Sequence, residues 1–173
     1  MKPKFFILLI IGVIINFSAN AQKIKKNVID KFTNVEEIET SWETLYTKNP
    51  MLGGYTHKFD FLIRRYNGVY VMVADILMKD IEKYTEDSGV TFLLENGETI
   101  FLKTNYTGIG SESFGKGYYF STSFRMTNDD ILKFKQNKIT DVRIHFLGGH
   151  FDKEILETKK DLIQKMLHLF DNL

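Results

Sequence analysis

The chain has 173 residues, 23 basic against 22 acidic, a formal net charge of +1 and no cysteine. A charge this close to zero, with both signs mixed, supplies no long-range attraction for nucleic acid or anionic lipid. The lack of cysteine removes a disulfide framework, a thiolate zinc site and a lipid-modified N-terminal cysteine, so stability has to come from a packed core.

Lys2 and Lys4 precede a mostly apolar run from Phe5 to Phe17, which gives way to Ser18, Ala19, Asn20 and Ala21. A charged head, a short apolar stretch and an A-x-A pattern predict a signal peptide over residues 1–21, cleaved before Gln22. The run is shorter than the roughly 20 apolar residues that span a bilayer, so no integral membrane segment is expected after cleavage. Removing Lys2 and Lys4 leaves 21 basic residues against 22 acidic ones, a formal charge of −1. Residues 22–173 carry no repeat and no linker-like stretch and read as a single β-rich domain. At that length a domain buries roughly 70% of its unfolded surface.

From Asn27 to Tyr46 the apolar points Val28, Phe32, Val35, Ile38, Trp42 and Leu45 predict two strands, although the acidic run of Glu36, Glu37 and Glu39 would also suit a helix. His57 to Tyr66 and Val69 to Met78 flank Asn67-Gly68, the pair that accepts positive φ at both corners of a tight turn. Counting outward from that turn sets Phe59 against Ile76, Phe61 against Ala74 and Ile63 against Met72 on a core face. On the other face Asp60 meets Asp75. Facing carboxylates are solvated, neutralised by a cation, or an acid–base pair with separated pKa values, and His57 lies near enough to join them. Asp60, Asp75 and His57 are therefore the candidate catalytic set.

A second Asn-Gly, at 96–97, predicts a hairpin of Val90–Glu95 with Glu98–Asn105, with Phe92 opposite Phe101 and Leu93 opposite Ile100. Apolar residues on both of its faces call for cover on two sides. Residues 108–117, GIGSESFGKG, have the glycine and lysine spacing of a phosphate loop from Gly110. That motif needs Ser or Thr next and a helix behind it; Gly117 and a strand follow instead, so a glycine-rich hairpin connection is expected. Tyr106, Phe114, Lys116 and Tyr119, in this connection and its flanks, are candidate binding residues. Trp42, Tyr55 and Tyr118 extend the same aromatic set. Asn105-Tyr106-Thr107 fits a glycosylation acceptor only in a eukaryotic source.

Tyr118 to Met126 alternates as a half-buried strand, and Thr127 with Asp130 resembles a capping box opening a short helix near 129–135. Asp141 to Phe146 alternates as a strand ended by Gly148-Gly149, across which His145 and His150 could meet. From Ile155 to the end, apolar residues at three- and four-residue steps predict an amphipathic helix. No histidine spacing matches a metal motif, no G-x-S-x-G elbow is present, and no cofactor is implied.

The fold class expected is α+β, mainly antiparallel: a curled sheet of about seven or eight strands, sandwich or partly open barrel, with the helix near 129–135 and the C-terminal helix. The stretches DKFTNVEEIETSWETL (Asp30–Leu45), VTFLLENGETIFL (Val90–Leu102) and FRMTNDDILKFKQNKITDVRI (Phe124–Ile144) resemble small exported proteins of Bacteroidota-type bacteria, and the ANAQ junction at 19–22 is similar to their signal sequences. The resemblance implies export and a β-rich fold and assigns no functional residue. A barrel closed by a last helix is also the arrangement of pleckstrin-like domains, an analogy of architecture alone. The expected function is a non-catalytic periplasmic or secreted module binding a protein, glycan or lipid through a sheet face or the 106–117 loop; the alternative is a hydrolase or metal-dependent enzyme using the facing carboxylates.

Overall fold

The computed structural model describes residues 22–48, 57–79, 83–105, 108–113 and 117–173. The predicted signal peptide, Tyr55, Tyr106, Phe114 and Lys116 lie outside these residues.

Two antiparallel sheets enclose one core. The larger runs β1 (Ile24–Ile29), β2 (Glu36–Thr40), β4 (His57–Tyr66), β5 (Val69–Met78), β11 (Gly117–Met126) and β10 (Ser111–Ser113), with β3 (Glu43–Lys48) also pairing with β4. The smaller runs β13 (Gly149–Glu154), β12 (Ile139–Phe146), β7 (Gly89–Leu94) and β8 (Thr99–Lys103). A two-residue pair, β6 (Lys83–Tyr84) with β9 (Gly108–Ile109), completes thirteen strand segments among the described residues. This exceeds the expected number because the N-terminal region forms three strands and because β6, β9, β10 and β13 are short additions to longer hairpins.

The sheets meet along one side, where Thr104 beyond β8 bridges to Phe124 of β11. On the other side no ladder forms among the described residues, and Phe151 of β13 packs against Tyr46 and His57 at ring-centroid distances of 6.0 and 4.8 Å. The result is a curled sandwich rather than a closed barrel. Its core faces carry Phe59, Phe61, Ile63, Met72, Ala74 and Ile76 from the first hairpin, facing Val90, Phe92, Ile100 and Ile144 from the smaller sheet, each no more than 2% exposed. The switch from β2 to β3 leaves Ile63, paired with Met72 on its β5 side, without a partner on the other side among the described residues, and the side chain of the fully buried Thr40 accepts its N–H at 3.0 Å.

The first hairpin has the predicted register from Tyr66↔Val69 to Lys58↔Leu77, with Asn67 and Gly68 at φ 47° and 76°. The second hairpin is shifted by one residue. Only Gly97 takes positive φ, 85°, and Leu94 donates to Glu98 O at 2.9 Å, so Glu95-Asn96-Gly97 is a three-residue loop. The pairs are Phe92↔Ile100, Leu93↔Thr99 and Thr91↔Phe101. Phe92 and Ile100 enter the core, and Phe101 is turned out to solvent.

Helix α1 (Asn128–Gln136) opens on the expected capping box, with reciprocal bonds between Thr127 and Asp130. Strand β12 ends at Phe146, before Gly148-Gly149 as expected, but a further strand follows the turn. Gly148, at φ 88°, turns the chain back into β13, which pairs with β12 through Glu154. The C-terminal helix is therefore shorter than the apolar spacing suggests: a 3-10 turn at Glu157–Lys159 and then α2 (Leu162–His168), which buries Leu162, Ile163, Met166 and Leu167. Gln164 of α2 donates to Lys135 O at 2.6 Å, and Phe134 of α1 meets Phe92 edge-on at 5.3 Å, so the helices close the space between the sheets.

Candidate functional site

The outward face of the smaller sheet is a regular grid, because each strand contributes alternate residues and the ladders fix which of them are neighbours. One row runs Glu154, Asp141, Leu93, Thr99; the next runs Asp152, Arg143, Thr91, Phe101; the third runs His150, His145, Gly89, Lys103. A shallow groove of about 420 Å³ lies over the first two rows, lined by Thr91, Leu93, Thr99, Arg143, His145 and Asp152 among others.

Phe101 is 49% exposed on β8, the last strand of this sheet, and its seat is Gly89 on the neighbouring β7. A Cβ built on Gly89 would sit 2.8 Å from the ring and 2.4 Å from Leu102 O, so the ring occupies the space that a missing side chain leaves. From there its edge meets His145, at 5.6 Å between centroids and 88° between planes. His145 Nε2 shares a 2.8 Å hydrogen bond with Thr91 Oγ1.

Arg143 donates from Nε and Nη2 to the two carboxylate oxygens of Asp152, both at 2.6 Å. Both partners are about half exposed, so solvent screens the pair and it adds little to folding. What it supplies is a planar, fixed fork of donors and acceptors. The Arg143 hydrogen bonds hold the Asp152 carboxyl below the usual carboxylate range. Partial burial, followed by the nearby positive charge of Arg143 and by His150, pushes His145 below its ordinary value of 6.5, so its ring is neutral at neutral pH. His145 and His150 do meet across the turn, 6.5 Å apart. Among the described residues no group of three or more His, Asp or Glu side chains is arranged to hold a metal ion.

Asp60 faces Asp75 as the sequence predicts. Each carboxylate already has partners: Thr44 donates to Asp60 at 2.6 Å, Lys58 forms an ion pair with it, and the Tyr119 hydroxyl bonds to Asp75. Burial first, then that hydrogen bond, raises the Tyr119 pKa above its ordinary value. His57 does not join them. It shares the face of Phe59 and Phe61 and stacks on Phe151, whereas Asp60 and Asp75 are on the opposite, outward face. Tyr119, a candidate binding residue, is 41% exposed on that outward face, and Trp42 is 44% exposed. Behind the glycine-rich segment β11 begins at Gly117, so no helix N-terminus stands there for phosphate.

The groove residues Thr91, Arg143 and Asp152, and Phe101 at its border, were not among the candidates named from the sequence. Two misassignments hid them: the two-residue turn at 96–97, which put Phe101 with Phe92, and the missing β13, which carries Asp152. The Glu98 N–H bonds to Asn96 Oδ1 at 3.0 Å, an Asx turn that Asn-Gly-Glu also permits, and a three-residue loop was the signal for the true register.

The chain matches no protein-family model, no curated protein and no solved structure. Among the described residues no helix is long and apolar enough to cross a membrane.

Proposed function

We propose that this chain is an exported, non-catalytic binding module that takes its ligand in the groove on the outward face of the smaller sheet. The observation that carries this is the half-exposed Phe101, seated on Gly89 beside the preformed Arg143–Asp152 fork and the Thr91–His145 pair. Ligand sites combine an apolar contact with a few polar groups fixed in advance, and this groove falls in the range of small-molecule clefts, roughly 300–1,000 Å³. A binding role fits these side chains better than acid–base chemistry, because Arg143, Asp152 and His145 are each held by another protein group. The charged, apolar and A-x-A segments of residues 1–21 support export.

Amide hydrogen exchange on the mature protein, with and without a soluble extract of the cell envelope, tests this reading. Slower exchange over 89–93, 99–103 and 141–145 is expected. Unchanged exchange there, or protection confined to the Asp60–Asp75 face, would contradict it. Fractionation with N-terminal sequencing tests export: the expected first residue is Gln22, and cytosolic protein retaining Lys2 and Lys4 counts against it.

A further inference from the structure

The charges around the groove are nearly balanced. On this face Asp141, Asp152 and Glu154 stand against Arg143 and Lys103, with Lys160 beside Asp141 and Glu154. Three carboxylates against three cations give an anion no net attraction, so nothing here selects phosphates, acidic polymers or fatty-acid headgroups. The apolar lining is small, Leu93 and Val142 with the Phe101 ring at the border beside Thr91, too little to cover an acyl chain.

The hydrogen-bonding groups have a different character. Arg143 spends Nε and Nη2 on Asp152 and keeps Nη1, while the Asp152 and Asp141 carboxylates and the Thr99 hydroxyl retain lone pairs without protein donors among the described residues. Such a bed suits a neutral group that donates and accepts through the same atom. A hydroxyl does this, and a row of hydroxyls on a ring does it repeatedly. The C–H face of a pyranose ring also packs on an aromatic ring such as Phe101, which is apolar in body and exposed here.

We propose that the groove binds a neutral saccharide, with one sugar ring against Phe101 and its hydroxyls on the Arg143–Asp152 fork, Asp141 and Thr99. This inference rests on the groove being the ligand site. Lining by neutral hydroxyls and a carboxylate–guanidinium pair gives affinity that does not depend on ionic strength.

Native affinity electrophoresis of the mature protein tests it, in gels containing a soluble β-glucan, a soluble α-glucan, a galactomannan or, as the anionic control, a polyuronate. At least one neutral polysaccharide is expected to retard the protein, undiminished by 0.5 M NaCl. Phe101→Ala should weaken that retardation about tenfold or more. Thr99→Val, which keeps size and shape, should weaken it several-fold, and Phe32→Ala, an exposed ring far from the groove, should leave it unchanged. Retardation by the polyuronate alone, or binding abolished by salt, overturns the assignment, as does no retardation by any neutral polysaccharide. Groove protection in the exchange experiment without saccharide retention would remove the ligand class and keep the site. Retention that Phe101→Ala does not alter would remove the site as well.

Discussion

Replacing Gly89 by alanine tests whether the groove is built on a missing side chain. Gly89 lies outside the left-handed region, so alanine is allowed there by the backbone, and the loss of unfolded-state freedom alone would stabilise the protein by about 0.4–1 kcal/mol. Against this, the new methyl carbon would stand 2.4 Å from Leu102 O and 2.8 Å from two atoms of the Phe101 ring. The first contact is with backbone in a paired strand and cannot be relieved by a rotamer change. Overpacking of this kind costs about 1–3 kcal/mol, so the net effect is a destabilisation of about 1–2 kcal/mol. For a domain of this size that lowers the melting temperature by about 2–8 °C. Thermal melting by circular dichroism reads it directly. The same substitution made in a Phe101→Ala background removes the ring contact and keeps the carbonyl contact, so its cost should shrink without vanishing. A Gly89→Ala protein as stable as the parent, or more so, would refute the packing of Phe101 on Gly89.

Three further outcomes are expected. Thr40→Val removes the acceptor for the buried Ile63 N–H and should cost about 1–3 kcal/mol, seen as a lower urea midpoint at unchanged slope, with Thr40→Ser close to the parent. Thr127→Ala strips the capping box from α1 and should cost about 1 kcal/mol in the same assay; no change would mean that α1 is held by its core contacts alone. His145 has its pKa lowered in the fold from the ordinary 6.5, so the unfolded chain binds its proton more readily. Its contribution to stability is complete above pH 6.5 and is lost as the pH falls below that through the folded value. Melting temperatures between pH 7 and pH 5 should therefore fall more for the parent than for His145→Gln, and an NMR titration of His145 with a midpoint above 6.5 would contradict the burial that lowers it.

The sequence made the larger sheet readable and left the smaller one obscure, for a local reason in each case. Asn67-Gly68 closes a hairpin whose core face is apolar from Phe59 to Ile63, so turn chemistry and burial pattern demand the same register. In the second hairpin Leu93 and Phe101 make the outward face apolar too, so burial could not choose between registers one residue apart. The turn residues alone had to decide, and Asn-Gly serves both a two-residue and a three-residue loop. The strand β13 was hidden because His150, Asp152 and Glu154 are polar and its one strongly apolar residue is Phe151. The capping box of α1 was legible because its signal lies within four consecutive residues, Thr127 to Asp130. The facing carboxylates Asp60 and Asp75 were placed correctly by the same count that placed the core, yet the position of His57 on the other face follows from strand alternation and separates it from them.

The account depends on one ladder, Thr91 opposite Phe101, because a shift of one residue returns Phe101 to the core and abolishes the groove. Nuclear Overhauser contacts of the Phe101 ring measure it most directly. Contacts to the Gly89 α-protons and the His145 ring are predicted. Contacts to Phe92 and Phe134 in their place would contradict it.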